Sequence, residues 1–372
     1  MKDRIFTLIR EAEALRGAAK YAESLALFKK ALALSKKAGD LDGILDSTLA
    51  VADICRMVGK FDAAVKNYEE ALEACEALGN KLTAADCMVG MGLSLRAMGM
   101  WKESIKFIAT ARKTYLKEHD RKGTAFSLWA EAGALRVAGE IGKTIGKFKE
   151  AKALFSSIRH KPGTAYALCG LGGSHRMAGK FKDSLKYYRQ ANAMFADLGD
   201  IFGAAYSHCG IGNAYRMQNA YSEAMKHFRK AERLYAEIGD IVSYSYTLWS
   251  MANVLKMKGD LAGARLHISK ALKNFRKTKD PRGIVYCGMT MGEIEFMEGK
   301  KASAGKRLLS AFQDADLHGF KLEKCHAMAL AVLAGGPSLA KSCCSGMPGG
   351  PMSCYEKIGV KLEVSSIPFN MP

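Results

Sequence analysis

Apolar and polar positions along this chain recur at one period. Written in rows of forty from residue 1, eight rows align without a gap through residue 320. The stretch GKFKDSLKYYRQANAMFADLGD (179–200) returns forty residues later as NAYSEAMKHFRKAERLYAEIGD (219–240). One column is alanine throughout: Ala31, Ala71, Ala111, Ala151, Ala191, Ala231, Ala271 and Ala311. Three residues before it stands a large apolar side chain: Phe28, Tyr68, Ile108, Phe148, Tyr188, Phe228, Ile268 and Leu308. A small residue precedes that by four (Ser24, Ala64, Ser104, Thr144, Ser184, Ala224, Ala264, Ala304). Spacings of three, four and seven define one face of a helix. The alanine admits a close neighbour, and the large side chain fills the space beside it.

Glycines punctuate the rows. Gly59, Gly99, Gly139, Gly179, Gly259 and Gly299 precede this second helix, with Asn219 in the same column, and Gly39, Gly79, Gly199, Gly239 and Gly319 follow it. Glycine and asparagine tolerate the left-handed backbone that ends a helix. Each row therefore reads as two helices joined by short turns. Such a hairpin cannot bury its apolar face alone, and stacked neighbours make the core continuous.

The first helix carries a glycine or alanine at Ala52, Gly92, Ala132, Gly172, Gly212, Ala252 and Gly292, often with a leucine or tyrosine three residues on. Then follow the glycine turn, an aromatic or apolar residue, the small residue, the large one and the alanine. This order resembles the tetratricopeptide repeat (TPR). TPR units usually span 34 residues. The period of 40 is similar to the lengthened repeats of the Pins/LGN family of spindle-orientation scaffolds. The resemblance implies an all-α, right-handed α-solenoid of eight hairpins over 1–320. Beyond it the sequence predicts a closing helix over 321–334 and an irregular, partly disordered tail over 335–372.

The resemblance also implies that one face of each first helix lines a concave groove. On that face lie an aromatic column (Phe126, Tyr166, Tyr206, Tyr246, Tyr286) and a mixed column (Trp129, Cys169, Cys209, Trp249, Met289). Asn213, Asn253 and Glu293 follow, then a basic column of Arg16, Arg56, Arg96, Arg136, Arg176, Arg216 and Lys256. Arginine offers a planar fork of donors to a carboxylate or phosphate. Tyrosine offers a flat apolar face with a polar tip. Asn213 and Asn253 match the position that holds a backbone-clamping asparagine in peptide-binding TPRs. The expected ligand is an acidic extended segment of a partner protein. The alternative role of the basic column is structural, because every member lies near its helix C-terminus, where carbonyls and the helix dipole favour a cation.

Composition narrows the classes. Of 7 prolines, all but Pro162 and Pro281 lie in the last 40 residues, which leaves the repeats free to be helical. The start shows no apolar run of signal-peptide length, and no uncharged run reaches the length of a membrane span. We therefore expect a cytoplasmic protein whose ten cysteines are reduced thiols. The net charge of +19 draws acidic partners without choosing among them. Single-stranded nucleic acid along the same basic groove is a second reading, and self-association through the tail is a third.

Candidate chemistry is otherwise sparse. Gly142-Lys143-Thr144 looks like the end of a phosphate loop, but Val137 stands where the first glycine is required. No GxSxG, HExxH or paired CxxC occurs. The reading is non-catalytic, with no metal and no cofactor. The tail is rich in Gly, Pro and Ser up to Ser353, which predicts a flexible linker, and it groups Cys343, Cys344 and Cys354. The segment YEKIGVKLEVSSIPF alternates like a strand but has no partner strand, and IGVKLEV and IPFNMP are too apolar to float freely. Residues 355–372 are thus expected to fold back and cover the solenoid or its groove.

Overall fold

The computed structural model describes the backbone of residues 2–344 and 350–372, and the side chains of 2–335 and 352–372. Each row is a hairpin. The first helices are α1 (Lys2–Gly17), α3 (Leu41–Met57), α5 (Lys81–Ala97), α7 (Arg121–Val137), α9 (Lys161–Met177), α11 (Ile201–Arg216), α13 (Ile241–Met257) and α15 (Pro281–Met297). The second helices are α2 (Tyr21–Ala38), α4 (Phe61–Leu78), α6 (Trp101–Lys117), α8 (Ile141–Ser157), α10 (Phe181–Leu198), α12 (Tyr221–Ile238), α14 (Leu261–Thr278) and α16 (Lys301–Leu317). Two more follow, α17 (Lys321–Cys344) and α18 (Gly350–Lys357). The chain divides into two compact units, Met1–Ala134 with Tyr235–Ile241, and Leu135–Leu234 with Val242–Pro372.

The alanine column is buried in every row, at 0–3% exposure, and so is the column of large side chains. A first-helix column four residues past the aromatic one is also small, at Gly90, Gly170 and Gly210. A Cβ there would lie 2.3 Å from the Tyr68 ring, 2.3 Å from Phe148 and 2.1 Å from Tyr188, respectively. Each ring therefore docks on the glycine of the next hairpin. That contact locks successive rows together, and burying each such side chain contributes about 2 kcal/mol.

The turns follow the glycine pattern. Gly199 adopts φ +64° to end α10, and Asn219 takes φ 58° where other rows have glycine. Asp200 then caps α11, its Oδ1 accepting the Gly203 N–H at 2.8 Å, while its Oδ2 accepts the Tyr166 hydroxyl at 2.8 Å. One residue thereby satisfies an orphan helix donor and ties in the row before it.

In the first unit, each helix from α1 to α6 packs on the next. Its basic column is engaged within the protein. The Arg56 Nε donates to the Tyr68 hydroxyl at 3.2 Å, and that hydroxyl donates to Asp53 Oδ1 at 2.6 Å. A Cβ on Gly133 would touch the Arg96 guanidinium, so Arg96 lies on the backbone of α7. Trp129 stacks on Phe126, with ring centroids 5.7 Å apart, over the cluster of Val89, Leu93 and Ile108.

In the second unit, α8 to α11 and α14 to α18 pack in sequence, and α17 also reaches α15. Lys321 at the start of α17 pairs with Glu140 in the turn between α7 and α8. Two expectations for the tail are corrected here. The helix expected to stop at Ala334 continues through the Gly335-Gly336-Pro337 run to Cys344, and α18 occupies part of the expected linker. Glycine and proline disfavour a helix interior, but the backbone stays helical through this run. The ten cysteines are also not all thiols. Cys325 of α17 and Cys354 of α18 form a disulfide with Cα atoms 5.6 Å apart. Residues 29 apart in sequence become neighbours only once α18 folds onto α17, which periodicity cannot show. Cys55, Cys75, Cys87, Cys169, Cys209 and Cys287 are free thiols, and the side chains of Cys343 and Cys344 lie outside the described residues.

Candidate functional site

After α18, residues 360–372 form a strap with neither helix nor strand. The alternation seen in the sequence is an alternation of burial: Val360 and Leu362 are buried while Lys361 and Glu363 are exposed. Tyr355, just ahead of the strap, is fully buried, and its hydroxyl lies 2.7 Å from His326 Nδ1 of α17. Phe369 (8% exposed) and Met371 (0%) are buried at the far end. The tail thus folds back on the protein, as its apolar content requires.

The strap lands on the first-helix columns of the second unit. A Cβ on Gly179, in the turn after α9, would come 2.7 Å from the Lys361 carbonyl oxygen, so only glycine leaves the strap room to pass. Lys256 near the end of α13 donates through Nζ to the Phe369 carbonyl at 2.9 Å and pairs with Glu293 Oε2 at 2.5 Å. The Phe369 N–H donates to Glu293 Oε1 at 2.6 Å. One ion pair therefore grips both polar groups of one residue's backbone. Burial pushes the Lys256 ammonium down and the Glu293 carboxyl up, each partly opposed by its partner.

Arg216 at the end of α11 is fully buried. Its Nη2 donates to the Met371 carbonyl at 2.7 Å and its Nη1 to Asn370 Oδ1. Asn370 answers with its amide, donating to the Arg216 carbonyl at 2.9 Å. Asn213 aims the guanidinium. Its Oδ1 accepts from Nε at 3.2 Å and from Nη2 at 3.1 Å, while its amide donates to the Cys209 carbonyl. The guanidinium also lies over the Trp249 ring, 5.5 Å from its centroid. Burial first, and then the charge of Arg176, lower the Arg216 pKa to about 9.

The other expected site residues divide into positioning and packing. Trp249 is buried, donates to Thr290 Oγ1 at 3.0 Å and has Tyr286 4.7 Å away. Asn253 donates to the Trp249 carbonyl at 2.9 Å. The Tyr166 hydroxyl is taken by the Asp200 cap, and Tyr246 bonds likewise to Asp280. Tyr206 packs with Tyr188 and Ile211. Arg136 lies 6.0 Å from the Phe148 centroid. Arg176 keeps its Nε and Nη1 buried with no hydrogen-bond partner. The sequence brings Asn213, Arg216, Lys256 and Trp249 to one place, whereas the tyrosines are spent between hairpins. Glu293 stood in the asparagine column without an assigned role, and its position one row beyond Asn253 was the available signal.

Among the described residues no helix is long and apolar enough to cross a membrane, and no three His, Cys, Asp or Glu side chains gather to hold a metal ion. Residues 3–77 match the family model described as tetratricopeptide repeat. The fold is similar to a Rap protein complexed with competence and sporulation factor (TM-score 0.66, 12% identity, 96% of this chain and 99% of that one). It is also similar to the Rap conjugation gene regulator of plasmid pLS20 in complex with the Phr* peptide (TM-score 0.64, 13% identity, 84% and 95%). A third similar structure is aspartyl phosphate phosphatase F from Bacillus subtilis (TM-score 0.55, 14% identity, 85% of each chain). No curated protein matches the sequence. The family match thus falls on the first two rows, and the same hairpin recurs in all eight, in a fold shared with these structures.

Proposed function

We propose that this protein is a non-catalytic scaffold that holds an extended, acidic segment of a partner protein where its own strap now lies. The observation that carries this reading is the grip on Phe369, Asn370 and Met371 by Lys256, Glu293 and Arg216. Three of these bonds go to the backbone. A site that holds main-chain atoms accepts any extended segment with a matching register, and the neighbouring pockets select side chains. The strap occupies the site as an internal ligand, and the partner exchanges with it. Two of the similar folds were solved with competence and sporulation factor and with the Phr* peptide, respectively, which supports a peptide ligand here.

The test uses the full chain and a Phe369→Ala/Met371→Ala variant with a loosened strap. The variant retains a discrete protein from native lysate that wild type retains poorly, and a synthetic peptide of residues 359–372 competes it away. Equal recovery by both proteins, or recovery indifferent to the peptide, overturns the reading.

A further inference from the structure

Row two is the one net-acidic row of this basic chain. Residues 41–80 hold three Lys or Arg against eight Asp or Glu, whereas residues 241–280 of row seven hold eight against two, the largest basic excess of any row. Both excesses concentrate on the second helix. α4 carries Asp62, Glu69, Glu70, Glu73 and Glu76 against Lys66 alone. α14 carries Arg265, Lys270, Lys273, Arg276 and Lys277 and no acid. Three of these positions share columns of the repeat: Glu70 with Lys270, Glu73 with Lys273, and Glu76 with Arg276. The charges also face outward. Glu69, Glu73 and Glu76 are exposed, as are Lys270, Lys273, Arg276 and Lys277. Glu70 pairs with Lys36, and Lys270 donates to the Tyr244 hydroxyl at 2.5 Å. Glu69, Glu73, Glu76, Lys273, Arg276 and Lys277 form no ion pair among the described residues. Within each helix, like charges one turn apart repel, Glu69 with Glu73 and Lys273 with Lys277, and such pairs cost helix stability until an opposite charge meets them.

We propose that the acidic face of α4 on one copy of this protein docks on the basic face of α14 on a second copy, so that chains assemble head to tail. Both helices are 18 residues long and hold the same place in the repeat, so the two faces match in length as well as opposing in charge. An antiparallel crossing sets Glu70, Glu73 and Glu76 against Arg276, Lys273 and Lys270. The contact joins two different patches, so every added copy leaves one face of each sign open and assembly does not stop at two. Single exposed ion pairs contribute little, so the docking depends on several acting together and weakens as salt screens them. It uses neither the strap nor the first-helix face, and so stands apart from the groove reading.

The test is sedimentation of the nuclease-treated full chain. At about 50 mM salt the weight-average mass should rise with protein concentration past that of two chains, and at about 1 M, where the screening length is about 3 Å, it should fall to that of one. Glu69→Lys/Glu73→Lys/Glu76→Lys and Lys270→Glu/Lys273→Glu/Arg276→Glu should each sediment as single chains with the wild-type circular dichroism, because every changed side chain is exposed. An equimolar mixture of the two should associate again, since the first keeps the basic α14 and the second the acidic α4. Should a triple change unfold the chain, Glu73→Lys and Lys273→Glu carry the same comparison. A single-chain mass for wild type at low salt and every concentration overturns the proposal. So does association that survives high salt or either set of charge reversals.

Discussion

Lys256 Nζ and Glu293 Oε2 lie 2.5 Å apart with both side chains fully buried, and the backbone of Phe369 bonds to both. The pair is stable only as a pair, because removing one member leaves the other charged and dry. Glu293→Gln should therefore cost about 3–5 kcal/mol in urea unfolding. Lys256→Met/Glu293→Leu should recover much of that loss while still releasing the strap. A double-mutant cycle read by both unfolding and exchange of the Phe369 amide separates the two effects.

Acid should weaken the region around α17. His326 is fully buried against Tyr355 and Phe369, and burial lowers its pKa from 6.5 to about 4, with Glu323 opposing and Arg282 and Arg176 assisting. Between those values the unfolded chain takes up a proton that the folded chain refuses. Stability from this group is complete above pH 6.5 and falls by about 3 kcal/mol as pH drops toward 4. The urea midpoint measured from pH 7.5 to 4.5 should show the decline, and His326→Gln should flatten it.

Reduction should loosen the strap's root. The Cys325–Cys354 bond closes a loop of 29 residues, which in the chain-entropy account stabilises by about 3–4 kcal/mol. Adding a thiol reductant should speed exchange of amides in α18 and the strap. Rows one to three should be unaffected. Protection unchanged by reductant would show that Tyr355 and the strap alone hold α18 in place.

Two glycines should respond oppositely to the same change. Gly146 in α8 has open space where a Cβ would go, so Gly146→Ala should stabilise by about 0.5–1 kcal/mol. At Gly210 a Cβ would lie 2.1 Å from the Tyr188 ring, so Gly210→Ala should destabilise by about 1–3 kcal/mol. Thermal unfolding of the two variants checks the sign.

The repeat was legible because packing repeats. An alanine that must admit a neighbouring helix in row one must do so in row eight, so the column survives while its surroundings vary. The strap was half legible. The apolarity of IGVKLEV and IPFNMP required burial, but which first helices receive them depends on a chain reversal that no local pattern encodes. The same reversal hid the Cys325–Cys354 bond. The tyrosine column is ambiguous in sequence for a different reason. A half-buried tyrosine looks the same in sequence whether its hydroxyl meets a ligand or the Asp200 cap of the next hairpin.

The placement of the strap also bears on how such an array can evolve. Hairpins that touch only their neighbours are interchangeable, so rows can be duplicated or lost in whole units of forty residues. Rows five to eight have no such freedom. Gly179, Arg216, Lys256 and Glu293 are all engaged by a single strap, and an inserted hairpin would pull those contacts out of step. Repeat number should therefore drift at the N-terminal end, while the C-terminal rows and the tail are inherited together as one block.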